Sequence, residues 1–549
     1  MTPNMISRRT LLAGASGLGV AAIGLTACQP GTEDAEGPAG GAPGEQTPGL
    51  QLPTYTPFGD VEPDLPGDAE LGLPAAYFHF PEIQEMAGIP LPETEPFSYL
   101  AQMPLTQTPQ PGNPWYDKFV ADMGNRFEMI AGGYAEYLQK FSVTMAGGEL
   151  PDLVMIEPVP QLERLLDEKF HDLTPYLGGD NIQEYPGLAS LPTATWRVCV
   201  QGGKLRGVTR PAVPAPAVVN VWSDDMEKLG LEADPAPKDG AELIDMLKAM
   251  TSGGSFGLGA DPTASSLRMT TQMCGVPNEW RVTDGVFTHA YETEEYLHAL
   301  EAAGQIWAAE VMHPESITNP DAKSGWFREG VSRAIFQGFA AWGYTTTNAK
   351  TRRLGQLVLP KWDGGGEASL HRGSSGYYSY TAIPKSVSED RLRELLKIMD
   401  YIAAPFGTRQ YLTGEYGVEG VHYTLDGNDP VQINEARRRD MIGGLGYAGR
   451  QSLFNIYIPG YDDVASRMHA YAAATLPTSV PDPSEGLYSE TWSTKGASFA
   501  TKVRDLQLAI IRGLRPVTAW SDFITSEWTP TVGDKSREEY QAAYEASDS

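Results

Sequence analysis

Cys28 is the side chain whose setting specifies chemistry most directly. It closes Leu25-Thr26-Ala27-Cys28, a Leu-small-small-Cys arrangement similar to a bacterial lipoprotein cleavage box, and it follows an uncharged apolar run at 11–25. Cleavage before such a cysteine leaves its thiol on the new first residue, where diacylation makes it an anchor. Two acyl chains hold a durable tether, whereas one gives only marginal binding. The apolar run is too short to span a bilayer, so residues 1–27 read as a removed leader. Arg8 and Arg9 in Ser7-Arg8-Arg9-Thr10-Leu11-Leu12 resemble a twin-arginine export signal, an ordinary secretory leader being the alternative.

Beyond Cys28, spacing selects no catalytic constellation. The 8 histidines are too scattered to suggest a zinc set, Asp426-Gly427-Asn428-Asp429 is too short for a calcium loop, and neither His-Glu-x-x-His nor Gly-x-x-x-x-Gly-Lys occurs. The 70 acidic residues would allow two carboxylates to flank a glycosidic bond, but spacing singles out no pair. No cofactor and no metal are expected. Cys199 and Cys274 could pair or stand as separate buried thiols. Glu157 follows the apolar run at 153–156, at the carboxyl end where α/β sheets present ligands. Asn278 and Trp280 share a loop between apolar segments, a flat apolar ring beside a hydrogen-bonding edge.

Charge narrows the partners. Loss of Arg8 and Arg9 with the leader takes the formal charge from −29 to −31. That field repels nucleic acid, and an acidic ligand would need a local basic pocket to overcome it. No later apolar run approaches a membrane span, so the mature body is expected to be soluble and tethered. Residues 28–73 are rich in Pro, Gly, Glu and Asp and hold no Lys or Arg, a composition that predicts a disordered tether.

The elements that must position these residues alternate between helix and strand. Ala75 to Phe80 suggests a first strand, and the proline-rich stretch to Pro114 a surface excursion. Phe119, Met123, Phe127 and Ile130 share one face at helical spacing, and a second run leads from Tyr134 through Phe141 to Met145. Asp239 with Glu242 forms a capping box for one later helix, and Leu392, Leu395, Leu396, Met399 and Ile402 mark another that stops before Pro405. Short strands at 333–336 and 355–359 complete the pattern, which predicts an α/β fold.

A family resemblance rests on Gly147-Gly148-Glu149-Leu150-Pro151-Asp152-Leu153-Val154, His171-Asp172-Leu173-Thr174-Pro175-Tyr176-Leu177 and Gly203-Lys204-Leu205-Arg206-Gly207-Val208, with Val311-Met312-His313-Pro314-Glu315 and Tyr416-Gly417-Val418-Glu419-Gly420 further on. In this order they resemble the extracellular solute-binding lipoproteins of ABC sugar importers, the family that includes the maltodextrin-binding protein. The resemblance implies two α/β lobes of the type II periplasmic-binding kind, joined by a hinge with the ligand cleft between them. It places one lobe at 74–211 and 361–425 and the other at 212–360 and 426–545, with hinges at 208–216 and 359–365. Arg206 and Thr209, and Asn220-Val221-Trp222-Ser223, depart from the family's usual pattern near the cleft, which leaves the particular solute open.

A sugar cleft needs aromatic plates for ring C–H faces and short polar groups for hydroxyls. On the resemblance, Trp342 in Gly338-Phe339-Ala340-Ala341-Trp342-Gly343 sits where a cleft aromatic is expected. Arg210, Trp222, Arg372, Ser374, Tyr377 and Tyr378 lie beside the expected hinges and join Glu157, Asn278 and Trp280 as candidate ligand contacts. The implied function is a monomeric, membrane-tethered receptor, outside the cytoplasm, that passes a carbohydrate to ABC permease subunits. An adhesin, sensor or scaffold of the same fold and an exported glycoside hydrolase are the alternatives.

Overall fold

Nine strands form two sheets, and the chain passes between them more than once. The computed structural model describes residues 50–547 apart from 60, 103–109, 133–135, 160, 350–351, 374–375, 442–444, 451–453 and 486. Arg8, Arg9, Cys28 and Ser374 lie outside the described residues. The strands are β1 (Phe97–Gln102), β2 (Phe127–Gly132), β3 (Leu153–Met155), β4 (Val208–Pro211), β5 (Val218–Trp222), β6 (Phe256–Gly259), β7 (Ser332–Gln337), β8 (Leu354–Leu357) and β9 (Tyr377–Ala382).

The first sheet runs β2-β1-β3-β9-β4; β1 pairs in parallel with β2 and β3, and β9 lies antiparallel to β3 and β4. Its core joins Tyr99, Trp115, Phe119, Phe141, Trp196 and Leu396. The second sheet runs β8-β5-β7-β6 and is flanked by two cores, one around Val221, Leu247 and Leu258, the other around Trp222, Phe339 and Trp342. Helices from the last part of the chain, including Ala497–Ile511, pack with Glu294–Ala308 in a further core on this second lobe.

From β4 onward, three connections join the lobes among the described residues, after the passages already made within residues 50–97. Residues 212–217 lead from β4 to β5, the chain comes back to the first sheet between Gly373 and the start of β9, and it returns at Ile456–Tyr457, which pairs in parallel with Ala76–Tyr77. The first two are tied to each other, Ala212 N–H donating to Gly376 O at 2.9 Å and Gly373 N–H to Pro214 O at 3.0 Å. The second crossing thus falls at 373–376, not 359–365: Leu359 and Trp362 belong to the second lobe's core. Conversely Leu445, Tyr447 and Ala448 belong to the first. Residues 361–372 and 426–448 therefore pack with the lobe opposite to that expected.

Local chemistry explains the other departures. Asn113 caps the helix Pro114–Met123, which ends at Gly124 with φ 64°, and a Cβ there would stand 2.4 Å from Leu91 O. Phe127 and Ile130, expected on a continuing helix, instead lie on β2 beside β1, which the proline-rich surroundings had concealed. The stretch 50–73 is no free tether: Leu50 and Leu52 pack on the first core and Leu65, Leu71 and Leu73 on the second lobe. Regularly placed leucines offset the cost of ordering a proline-rich segment whose backbone finds partners, as in Thr56 N–H to Ala189 O at 2.8 Å. Cys199 and Cys274 are both free thiols, the first buried in the first lobe.

Buried histidines make the fold sensitive to acid. His289 is fully buried among Trp280, Tyr291, Trp492 and Trp528, and burial holds its pKa down to about 3; burial holds His371 near 4. Unfolding returns each to its ordinary 6.5, so the unfolded chain gains protons that the folded chain refuses, and stability falls as pH drops below 6.5. Asp400 and Asp482, raised by burial to about 7, act with the opposite sign between 7 and their ordinary 3.8. His289→Asn can keep the acceptor that the Nδ1 atom offers to Tyr291 N–H. Whatever its effect at pH 7, it is expected to lose less stability between pH 7 and 4.5 than the natural chain, read as urea midpoints at the two pH values.

Candidate functional site

The carboxyl ends of the first sheet's parallel strands and the start of β9 meet at the junction between the lobes. Ile156 N–H donates to Tyr380 O at 2.9 Å, and on the other side of β9 Ser379 pairs in register with Arg210. Glu157 and Arg210 therefore flank the same turn of β9, with Tyr378 beside them. The Arg210 guanidinium carbon lies 4.6 Å from the Tyr378 ring centre and 4.1 Å from that of Tyr447, and these rings are nearly parallel at 14°. Tyr378 donates to Gln102 Oε1 at 3.0 Å, from the end of β1. Burial raises the Glu157 carboxyl above its usual range and lowers Arg210 from its own, and Arg210 Nε has no hydrogen-bond partner among the described residues. Three of the expected residues thus assemble on one polar and aromatic ledge.

Along the third crossing lies a cavity of about 310 Å³. The second lobe contributes Phe339, Ala340, Gly343, Tyr344 and Asn348, the last three from the helix Ala341–Ala349. The first lobe contributes Glu415, Tyr416, Gln432, Asn434, Arg437 and Arg438, while Asn455 to Pro459 form the floor. Tyr344 is 61% exposed, so a large ring is left facing the groove. Aromatic rings, amides and guanidinium groups alternate around this space, a lining suited to a polar solute with apolar faces.

The other expected residues lie elsewhere. Trp342 is fully buried beneath the groove wall, edge-on to Phe339 and Tyr471, with the Arg467 guanidinium 5.9 Å from its ring centre. Trp222 stacks on Phe327, and Trp280 packs among Phe287, His289 and Tyr540. None of the three presents a face to the groove, because the largest apolar rings gain most from complete burial. Asn278 donates to Arg372 O at 3.2 Å and to Val480 O at 3.0 Å, and Arg372 donates to Leu71 O at 2.7 Å. Both fasten backbone segments. Tyr377 points away from Tyr378, toward Asp482 and Glu485, and burial pushes its phenol up to about 12. Gly253-Gly254-Ser255-Phe256-Gly257 matches the spacing of a nucleophile elbow, but it leads into β6 instead of joining a strand to a helix, and Ser255 Oγ donates to Gly330 O at 2.9 Å.

The groove residues missed by the sequence reading are Gln102, Phe339, Tyr344, Asn348, Tyr416, Tyr447, Arg437 and Arg438. One signal could have found two of them: Arg437-Arg438-Arg439 is a basic run in a strongly acidic chain.

Two α/β lobes, repeated crossings and a lined groove between them form an architecture suited to holding a solute. Residues 115–417 match the family described as bacterial extracellular solute-binding protein, and the chain belongs to that family. The match is to the family at large and not to the maltodextrin-binding protein in particular. Among characterised proteins, the polygalacturonan/rhamnogalacturonan-binding protein YtcQ of Bacillus subtilis is 21% identical over 425 residues, covering 74% of this chain and 82% of its own. The same fold occurs in the N-glycan transport solute-binding protein of Streptococcus pneumoniae, with a TM-score of 0.60 and 13% identity over 83% of this chain and 99% of that one. It occurs also in the alginate-binding protein AlgQ2, with a TM-score of 0.59 and 15% identity over 84% of this chain and 100% of that one.

Proposed function

We propose that the protein is a membrane-tethered receptor that captures a saccharide between its lobes and presents it to an ABC permease. The observation that carries this reading is the interlobe cavity, whose walls come from different lobes and whose floor is a connecting strand. A solute touching both walls would favour the closed form in proportion to its extra contacts there, and the crossing at 212–217 would absorb part of the change. Similar proteins named for polygalacturonan, N-glycan and alginate support a saccharide as the solute. Glu157, Arg210 and Tyr378 would bond hydroxyls at the neck, while Tyr344, Phe339 and Tyr416 would cover ring faces. Diacylated Cys28 would hold the body at the outer face of the membrane.

Titration calorimetry of residues 29–549 against oligosaccharides is expected to give saturable heat with at least one of them, with a smaller radius of gyration in solution scattering when bound. Absence of heat with every saccharide would remove the receptor reading and leave a scaffold. Cys28→Ser should abolish incorporation of labelled palmitate.

A further inference from the structure

Positive charge is scarce in this chain, with 41 Lys and Arg against 70 Asp and Glu, and several arginines outside the groove are spent on carboxylates: Arg353 on Asp224 and Glu227, Arg409 on Glu85 and Glu419, Arg467 on Asp234, Arg537 on Glu292. The interlobe cavity departs from this pattern. Arg437 donates through Nη1 to Gln432 Oε1 at 2.5 Å and through Nη2 to Glu415 O at 2.6 Å, both neutral acceptors, and its buried Nε has no partner. Arg438, beside it on the helix Asn434–Asp440, is exposed, lines the same cavity and makes no hydrogen bond or ion pair with the described residues.

Three of the nearby carboxylates are engaged, while exposed Glu435, on the helix of Arg438, and Asp426, on the adjoining hollow, make no side-chain hydrogen bond or ion pair with the described residues. Glu415, in the cavity wall, faces the Arg450 guanidinium at 3.5 Å. Asp440 accepts from Arg439 and His422, and Asp429, on the adjoining hollow, accepts from Tyr457, His79 and Phe80 N–H. Neither guanidinium is therefore ion-paired with the described residues, although the Glu415 carboxylate in the same wall acts on Arg437, in a protein whose overall field repels anions. A neutral solute would give neither guanidinium a direct ionic partner as the groove lost water.

We infer that the solute is an acidic saccharide, with a ring carboxylate seated on Arg437 and Arg438. A guanidinium fork matches a planar carboxylate through paired, charge-assisted hydrogen bonds, and Tyr344 and Tyr416 stand in the same cavity to cover the sugar ring. The local basic pair supplies the attraction that a chain of charge −29 otherwise denies to an anion. This inference rests on the receptor reading and narrows it to one substrate class.

The test is calorimetry of the mature protein and of Arg438→Gln with galacturonate, glucuronate, mannuronate and guluronate oligosaccharides, their methyl esters and neutral hexose oligomers. Arg438 is exposed and makes no hydrogen bond or ion pair with the described residues, so its replacement should leave thermal unfolding unchanged. The expected result is that at least one acidic oligosaccharide binds about tenfold or more tightly than its ester, and that Arg438→Gln removes most of that difference by weakening the acid alone. A neutral oligomer bound as tightly as every acidic one, or an acid preference that survives Arg438→Gln and Arg437→Gln alike, would overturn the inference while leaving the receptor standing. Heat with no saccharide at all would bring down the receptor reading itself.

Discussion

Trp222→Ala is expected to lower the unfolding free energy by about 3–5 kcal/mol while leaving solute affinity of the folded protein unchanged. The indole is fully buried at the end of β5, its ring centre 4.6 Å from that of Phe327 and tilted by only 11°. Its Nε1 donates to Phe327 O at 2.9 Å, and the Arg352 guanidinium lies 4.0 Å from the ring centre while pairing with Asp225. Truncation would open a cavity, orphan a carbonyl and release the arginine from its platform, three losses in one place. Trp222→Phe keeps a ring against Phe327 and loses the N–H donor, so it should cost about 1–3 kcal/mol. Urea unfolding gives the stability, and calorimetry in the cold, where the variant remains folded, gives the affinity. A large affinity loss with unchanged stability would move Trp222 from the core to the cleft.

That contrast shows which features the sequence could reveal. Helix and strand alternation, the cap at Asp239 and the helix through Leu392 and Met399 depend on neighbours in the chain, and they formed where spacing placed them. The turn at Gly124 overrode an apolar period that otherwise ran from Phe119 to Ile130, because a left-handed residue ends a helix whatever follows it. That Glu157, Arg210 and Tyr378 lie close together could be anticipated, the first because it follows a strand's carboxyl end and the other two because they flank segments expected to cross between lobes. The tryptophans misled for a reason of the same kind: a residue type suited to stacking on sugar is suited equally to filling a core, and composition does not say which side of a strand it occupies. Tyr344, Tyr416 and Arg437 come together from segments far apart in sequence, through a third crossing that no local pattern announces.

Arg210→Gln is expected to weaken solute binding by at least tenfold, with a stability change below about 2 kcal/mol. The two effects separate because the guanidinium does little for the empty fold. It forms no ion pair with the described residues, its Nε is unpartnered, and its contacts are with the faces of Tyr378 and Tyr447, worth about 0.5–2 kcal/mol. A solute oxygen arriving over this ledge would gain a charge-assisted hydrogen bond of about 1.5–3 kcal/mol, or roughly ten- to 150-fold in affinity. Glutamine retains polarity but has neither the charge nor the reach, so that bond would be lost. Arg210→Lys keeps the charge without the planar fork and should fall between the two. The pair is measured by calorimetry with the best saccharide and by thermal unfolding without it. Were both variants to unfold several degrees earlier and bind normally, Arg210 would be a packing residue, and the site would have to lie wholly along the cavity of Tyr344 and Arg437.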